Sequence, residues 1–204
     1  FGTELIYSDP MEGSDGAIQQ CRALVEETPD QYFYANQYKN PSNPRAHYLG
    51  TGREILEQVG DEITHFVAGL GTSGTVMGTG RGLKALNPRV QVIGAEPAEP
   101  FHGIEGLKHM GSSIVPGIYD ESFLDRKILL ETDTAYDTTL RLARELGVLV
   151  GQSSGAACWA ALEVARELEE GVVVTVFSDG GDKYMSTPMW RQALKGAVSA
   201  ASEG

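Results

Sequence analysis

Apolar positions along this chain follow two rhythms, short runs of strand type and longer stretches at helical spacing, and the changes between them fall mostly at glycine or proline. Leu5 to Tyr7 reads as a short strand closed by Asp9-Pro10, and Gly13 to Glu27 as a helix with Ala17, Ile18, Cys21, Leu24 and Val25 at helical spacing. Tyr32 to Tyr34 reads as a second strand. A polar loop follows, in which Asn43 is placed to cap, and Pro44 to start, a helix running to about Val59. Strand 63–69 ends in glycine and is followed by a helix over 74–86 and a strand from Val90 to Ala95 that stops at Glu96-Pro97, which makes a βαβ unit. Residues 98–122 lack periodicity, and their glycines and prolines predict a long loop over a site. Further strands are expected at Lys127 to Leu130, Val148 to Val150 and Val172 to Phe177. Helices are expected from Thr132 or Thr134 to Leu146, stopped by Gly147, and from Gln152 to Leu168. After Trp190 the pattern weakens into a tail. Strands alternating with helices in this way predict an α/β fold, a parallel sheet flanked by helices on both faces, with ligands at the carboxyl ends of the strands.

Size and charge narrow this picture. With 204 residues, 41% of them hydrophobic, the chain has material for a real core. A net charge of −12 argues against a nucleic acid or an anionic membrane surface as partner, because either needs a basic face. Any anionic ligand has to be held locally. Cys21 and Cys158 are the only cysteines and have no metal-type spacing, which suits a reducing compartment. No apolar run is long enough to span a bilayer, so a cytoplasmic location is expected. The chain opens on Phe1, with no initiator methionine, and runs straight into an apolar strand pattern; it is expected to be part of a longer protein. The loop around residue 40 suggests a boundary. Residues 1–40 are expected to be the remnant of a small N-terminal domain, 41–190 a large cofactor-binding α/β domain, and 191–204 a C-terminal tail.

The stretch Ile63–Gly80 carries the most chemistry. Its glycines are expected to turn the backbone with positive φ, while Thr72, Ser73 and Thr75 offer hydroxyls beside the free N–H groups of a helix start. One phosphate fits such a cradle, each charge-assisted hydrogen bond or dipole contributing ~1–3 kcal/mol. The plainer reading is a glycine-rich strand-to-helix turn that holds nothing. Gly69-Leu-Gly-Thr-Ser-Gly74 also spells G-x-G-x-x-G, with Glu96 where a ribose-binding acid would stand, so an NAD(P)-binding domain is a competing reading. Against it, this is not a first βα turn, and the crowded hydroxyls suit a terminal phosphate better than a bridging pyrophosphate. Gly151-Gln-Ser-Ser-Gly155 spells G-x-S-x-G, but a nucleophile elbow needs a histidine after its acid, and His47, His65, His102 and His109 all precede Ser153. Ser153 otherwise reads as a helix N-cap. The histidines lack metal-ligand spacing and read as solvated or core residues. Taken together, the cradle, Ser153 and a polar loop with Gln37 face one cleft, and a phosphorylated planar cofactor such as pyridoxal phosphate would use all three.

Several spaced motifs strengthen that reading. Asn36-Gln37, Asn40-Pro-Ser-Asn-Pro-Arg-Ala-His-Tyr48, Thr51-Gly-Arg-Glu54, Gly71-Thr-Ser-Gly-Thr75, Glu96-Pro97, Gly151-Gln-Ser-Ser-Gly-Ala156 and Asp179-Gly-Gly-Asp-Lys-Tyr-Met-Ser-Thr187 occur in an order that resembles the cysteine synthases (O-acetylserine sulfhydrylases). The likeness runs from Phe1 to about Trp190 and, through Gly103-Ile104 and Pro116-Gly117-Ile118, leans to the B type. The resemblance implies a fold-type II pyridoxal 5'-phosphate enzyme, a homodimer, in which Gly71, Thr72, Ser73, Gly74 and Thr75 hold the cofactor phosphate and Ser153 meets the pyridine nitrogen. It also implies that Gln37 lines the substrate pocket and that Gly103 lies on the loop closing over it. The implied reaction is β-elimination of acetate from O-acetylserine followed by addition of sulfide, giving L-cysteine. A neutral serine suits it, since a carboxylate would hold the ring nitrogen protonated and favour deeper carbanion chemistry; Asp179 is the residue that would blur this. The family's Schiff-base lysine lies upstream of Phe1, so no catalytic residue is assigned and the chain alone is expected to be inactive. Rival readings are a cystathionine β-synthase or O-phosphoserine sulfhydrylase, and a phosphate-binding or interaction module.

Overall fold

The computed structural model describes residues 2–194. Four strands, β1 (Ile63–Gly69), β2 (Gln91–Pro97), β3 (Arg126–Leu130) and β4 (Val172–Thr175), form one wholly parallel sheet in the order β3-β2-β1-β4. Parallel neighbours need crossovers. A helix, α4 (Gly74–Leu86), links β1 to β2, and two more, α5 (Thr132–Leu146) and α6 (Gln152–Arg166), lie between β3 and β4. Three helices precede the sheet: α1 (Gly13–Glu27), α2 (Ser42–Leu49) and α3 (Thr51–Val59). The predicted α/β class with helices on both faces is what forms.

Side chains leave a strand on alternate faces, and the two cores follow that period. Val67, Ile93, Ala95, Ile128 and Leu130 pack with Ala135 of α5 and with Ala156, Ala160 and Val164 of α6. Phe66, Ala68 and Val92 face the other way, onto Val76, Met77 and Leu83 of α4, with Ile55, Leu56 and Val59 of α3 against them. Phe66 and Val67 are adjacent, fully buried and in opposite cores. Each contributes roughly 1.5–3 kcal/mol of burial, so a slip of one residue in β1 would forfeit both. Among the described residues no helix is long and apolar enough to cross a membrane.

Helices α1 and α4 have the expected bounds, and Gly147 closes α5 in the left-handed region at φ 69°. Elsewhere the structure corrects the expectations. Residues 5–7 and 32–34 are not strands. A strand needs a neighbour to pair with, and none of the described residues pairs with either; Tyr7 and Phe33 stand exposed. The single helix expected up to Val59 is two, broken at Gly50, whose N–H closes α2 on Ala46 O at 2.8 Å. Asn43 does not cap α2: the Asn40 side chain takes the Ser42 N–H, and Asn43 lies inside the first turn. Residues 148–150 make only an isolated antiparallel bridge, Val150 to Gly180. Ser153 is not an N-cap either, since Gly151 holds that position and Ser153 falls in the first turn of α6. Residues 188–194 are helical, and the remainder of the expected tail, 195–204, lies outside the described residues.

Candidate functional site

From β1 the chain moves outward through β2 to β3, then returns to place β4 on the other side of β1. The sheet order therefore reverses between β1 and β4, and in an open parallel sheet the crevice beyond the strand ends at such a reversal is where ligands bind. A cavity of about 200 Å³ occupies that place. Its wall is built from the end of β1 and the turn after it (Ala68, Gly69, Gly71 to Thr75), from Gly106 and Leu107, from Ser153 at the start of α6, and from Ser178, Asp179 and Tyr184 beyond β4.

The glycines of the turn act by approach and not, as expected, by positive φ. The left-handed residue is Ser73, at φ 69°, a conformation that costs a non-glycine residue roughly 1–3 kcal/mol and persists only where the surroundings impose it. A Cβ on Gly71 would run into the Gly106 carbonyl, and one on Gly74 would lie 2.6 Å from Asn43 Cγ. The turn is thus pressed between the 98–122 segment and α2. Ser73 Oγ is buried without a hydrogen-bond partner, and the first N–H groups of α4, Gly74's bond to Thr72 Oγ1 apart, are those a helix leaves without an intrahelical acceptor. An orphaned hydroxyl at Ser73, helix-start donors and the hydroxyl-bearing Thr72 and Thr75 in the same lining are what a phosphate requires, so the residues present fit one.

The packing that holds the turn comes from α2 against α4. Gly74, Gly78 and Gly82 recur at i, i+4, i+8 on α4 and meet Asn43, then Pro44 and His47, then Tyr48 of α2. Asn43 Nδ2 donates to Gln37 O at 2.8 Å and to Thr72 Oγ1 at 3.2 Å, while His47 Nε2 stands 3.3 Å from Thr75 Oγ1 and its Nδ1 3.0 Å from Thr51 Oγ1. Burial lowers His47 below the ordinary histidine pKa.

At the other end of the cavity, Tyr184 donates its hydroxyl to Asp179 Oδ2 at 2.6 Å, and that bond together with burial pushes Tyr184 up to about 12. Asp179 Oδ1 is buried without a partner and abuts Gly151, where a Cβ would also lie 2.7 Å from Tyr184 Cε2. Oδ2 is thus engaged by Tyr184, while Oδ1 has no partner, and Asp179 and the neutral hydroxyl of Ser153 both line this end of the cavity.

Of the residues singled out in the sequence, Gly71, Thr72, Ser73, Gly74, Thr75 and Ser153 line this one cavity; Gln37 and Gly103 lie outside its lining. Gln37 approaches through its main-chain carbonyl, bonded to Asn43. Gly103 is pinned to α5, its N–H donating to Thr132 Oγ1 and its carbonyl accepting from Tyr136. Glu96, which a dinucleotide reading would give to a ribose, is buried, with Oε1 accepting the Met110 N–H at 2.7 Å and Oε2 paired with Lys127 at 3.1 Å. Gly106, Leu107, Ser178 and Tyr184 line the cavity without having been assigned to it, and Asn43 and His47 back it. For the last two the signal was the repeated glycine spacing on α4, which calls for a close partner helix. A wider cleft of about 670 Å³ lies between α5 and residues 188–194, but it has no glycine turn and no hydroxyl cluster, and the smaller, motif-built cavity is the candidate site.

A family model described as pyridoxal-phosphate dependent enzyme matches residues 1–179. The cysteine synthase of Aquifex aeolicus is 57% identical over 194 residues, covering 93% of this chain and 59% of that protein. Cysteine synthase B of Pseudomonas aeruginosa is 42% identical over 190 residues, covering 93% and 62%. Among solved structures, O-acetylserine sulfhydrylase isoform 3 from Entamoeba histolytica superposes with a TM-score of 0.83 at 34% identity, covering 93% of this chain and 59% of that one. The O-acetylserine dependent cystathionine beta-synthase from Helicobacter pylori gives 0.84 at 37% identity, covering 93% and 63%. The chain spans about three fifths of the length of these relatives.

Proposed function

We infer that this chain, which belongs to the family of pyridoxal-phosphate dependent enzymes, is the cofactor-holding part of a cysteine synthase that makes L-cysteine from O-acetylserine and sulfide. Residues 41–190 form its large domain and residues 1–40 belong to a smaller one; the whole enzyme is a cytoplasmic homodimer. One observation carries the reading: the Gly71–Thr75 turn and Ser153 line a single cavity at the reversal of the sheet.

Gly71 to Thr75 bind the phosphate, through helix-start N–H groups and the hydroxyls of Thr72, Ser73 and Thr75. Ser153 meets the ring nitrogen with a hydroxyl that brings no charge, while Tyr184 engages one oxygen of the Asp179 carboxylate. Gly106 and Leu107 form another side of the cavity; the Leu107 side chain fills the space where a Cβ on Gly69 would stand. Gln37 and Gly103 belong to the substrate side, beyond the cavity. When bound, pyridoxal phosphate supplies the electron sink that lets a β-substituent leave an amino acid. No lysine lines the cavity among the described residues, so these residues hold the phosphate without providing an amine to the aldehyde.

The test is titration of the chain with pyridoxal phosphate followed by phosphorus NMR, with NAD as the control. A shifted, saturable phosphorus signal that is lost in Thr72→Ala/Thr75→Ala and absent with NAD is expected. A signal indistinguishable from free cofactor refutes the cavity assignment. A specific lysine labelled after borohydride reduction overturns the statement about the amine.

A further inference from the structure

The hydrogen bonds behind the cradle limit where its hydroxyl protons can point. Thr72 Oγ1 receives the Asn43 Nδ2–H at 3.2 Å and the Gly74 N–H at 3.3 Å. With two donors on its oxygen, the hydroxyl's own proton has to point elsewhere, and Thr72 lines the cavity. Thr75 lines it too, and its oxygen lies 3.3 Å from His47 Nε2. A neutral imidazole has one donor nitrogen and one acceptor. If Nδ1 carries the proton, Nε2 accepts from Thr75 and the threonine proton is turned away from the cavity. If Nε2 carries it, Thr75 accepts from His47 and its proton is free to point inward. The Thr51 hydroxyl, 3.0 Å from Nδ1, can satisfy Nδ1 as an acceptor.

We propose that Asn43 and His47 are positioning residues that turn the hydroxyl protons of Thr72 and Thr75 into the cavity, with Thr51 holding His47 in the Nε2–H tautomer, so that α2 sets the donor polarity of the phosphate cradle. The proposal rests on reading the cavity as a phosphate site. Thr51 opens α3 directly after the break at Gly50, four positions beyond His47, and its hydroxyl still stands beside the ring as an i, i+4 partner does. The close approach of α2 to α4 at Gly74 and Gly78 brings Asn43 and His47, one helical turn apart, opposite the two threonines. No charge is added to the site. Two neutral hydroxyls are oriented in advance, which spares an incoming dianion the cost of reorienting them.

The experiment is long-range proton–nitrogen NMR of the His47 ring in this chain, free and with inorganic phosphate or pyridoxal phosphate, beside phosphate binding isotherms for variants. In the phosphate-bound chain the Nε2–H tautomer is expected. His47→Ala is expected to weaken phosphate binding about tenfold, the loss of one oriented donor to a charged acceptor. His47→Gln, whose amide N–H can replace Nε2–H, should stay within about threefold of the parent. Thr51→Val leaves the ring in place but removes the donor to Nδ1, and should give a mixture of tautomers with weaker phosphate binding; it serves if His47→Ala fails to fold. An Nδ1–H tautomer in the bound chain, or unchanged affinity in Thr51→Val, overturns the proposal while leaving the cavity assignment standing. If neither probe binds the parent chain, the cavity assignment falls and the proposal falls with it.

Discussion

Gly78→Ala tests whether the site is held by helix approach. A Cβ at 78 would lie 2.7 Å from His47 Cβ and 2.9 Å from the Pro44 carbonyl carbon, and closer still to its oxygen. The obstacle is mainly backbone, so α2 has to move. On helix propensity alone the change favours α4 by ~1 kcal/mol. Overpacking of a tight interface costs ~1–3 kcal/mol, and an outward shift of α2 stretches the Asn43–Thr72 and His47–Thr75 contacts, each contributing ~0.5–1.5 kcal/mol. The net expectation is a loss of roughly 1–5 kcal/mol in stability, with phosphate affinity reduced about tenfold as the threonines lose their backing. Gly82→Ala is the matched comparison: its Cβ would meet only the Tyr48 carbonyl at 3.3 Å, a contact that yields with a shift of a few tenths of an ångström. Urea unfolding and phosphate isotherms on the two variants decide the matter. Gly78→Ala that unfolds at or above the Gly82→Ala midpoint, or binds phosphate as the parent does, refutes the reasoning.

Two further outcomes follow from charges the fold has buried. Desolvation lowers the pKa of His47, His65 and His102, the last also through His109 and Lys108. The unfolded chain takes up protons near pH 6.5, before the folded one, so stability rises with pH across the window just below about 6.5. Urea midpoints should therefore be full above about pH 7 and fall on acidification, with a smaller fall in His47→Gln; a flat profile contradicts this. Separately, Asp15 at the start of α1 bonds Lys108 Nζ with one oxygen and the Ile114 N–H with the other at 2.7 Å. Asp15→Asn would leave the buried ammonium with Ser14 Oγ and the Tyr38 ring. A cost of ~2–4 kcal/mol is expected, somewhat below that of breaking a fully buried pair because Asp15 is partly exposed. Hydrogen exchange should show α1 loosening first, and Asp15→Asn/Lys108→Met should recover part of the loss; unchanged exchange in α1 removes Asp15 as its anchor.

What could be read from the sequence was what the chain writes locally. Helix α4 and the turn before it are contiguous, so periodicity and a cluster of hydroxyls reveal them together. Gly147 stops α5 because a left-handed closing residue is a property of that position alone. The failures concern neighbours. Residues 5–7 and 32–34 have strand composition, but pairing requires a partner, and none of the described residues supplies one. Gly50 carries no distinct signal in the sequence because one glycine within a helical rhythm is usually tolerated, and only the structure shows α3 starting afresh there. Gly103 and Gln37 rest on resemblance alone, since no local pattern marks them; Gly103 bonds to α5 and the Gln37 carbonyl to Asn43, and neither is in the lining of the phosphate cavity.

The same distinction explains why the glycines were misjudged. A turn rich in glycine suggests freedom of φ, yet the residue that takes the left-handed conformation is Ser73, and the glycines on either side have ordinary φ. Their function lies in what a missing Cβ admits: the Gly106 carbonyl at 71, Asn43 at 74, Pro44 and His47 at 78. Those contacts hold Ser73 in a conformation it would not keep alone, and they bring Asn43 and His47 to the hydroxyls of the cradle. The proposed anion site is therefore a property of two helices and a loop meeting, not of the five residues that spell it. Sensitivity to substitution should extend along the α2–α4 contact well beyond the residues able to touch a phosphate.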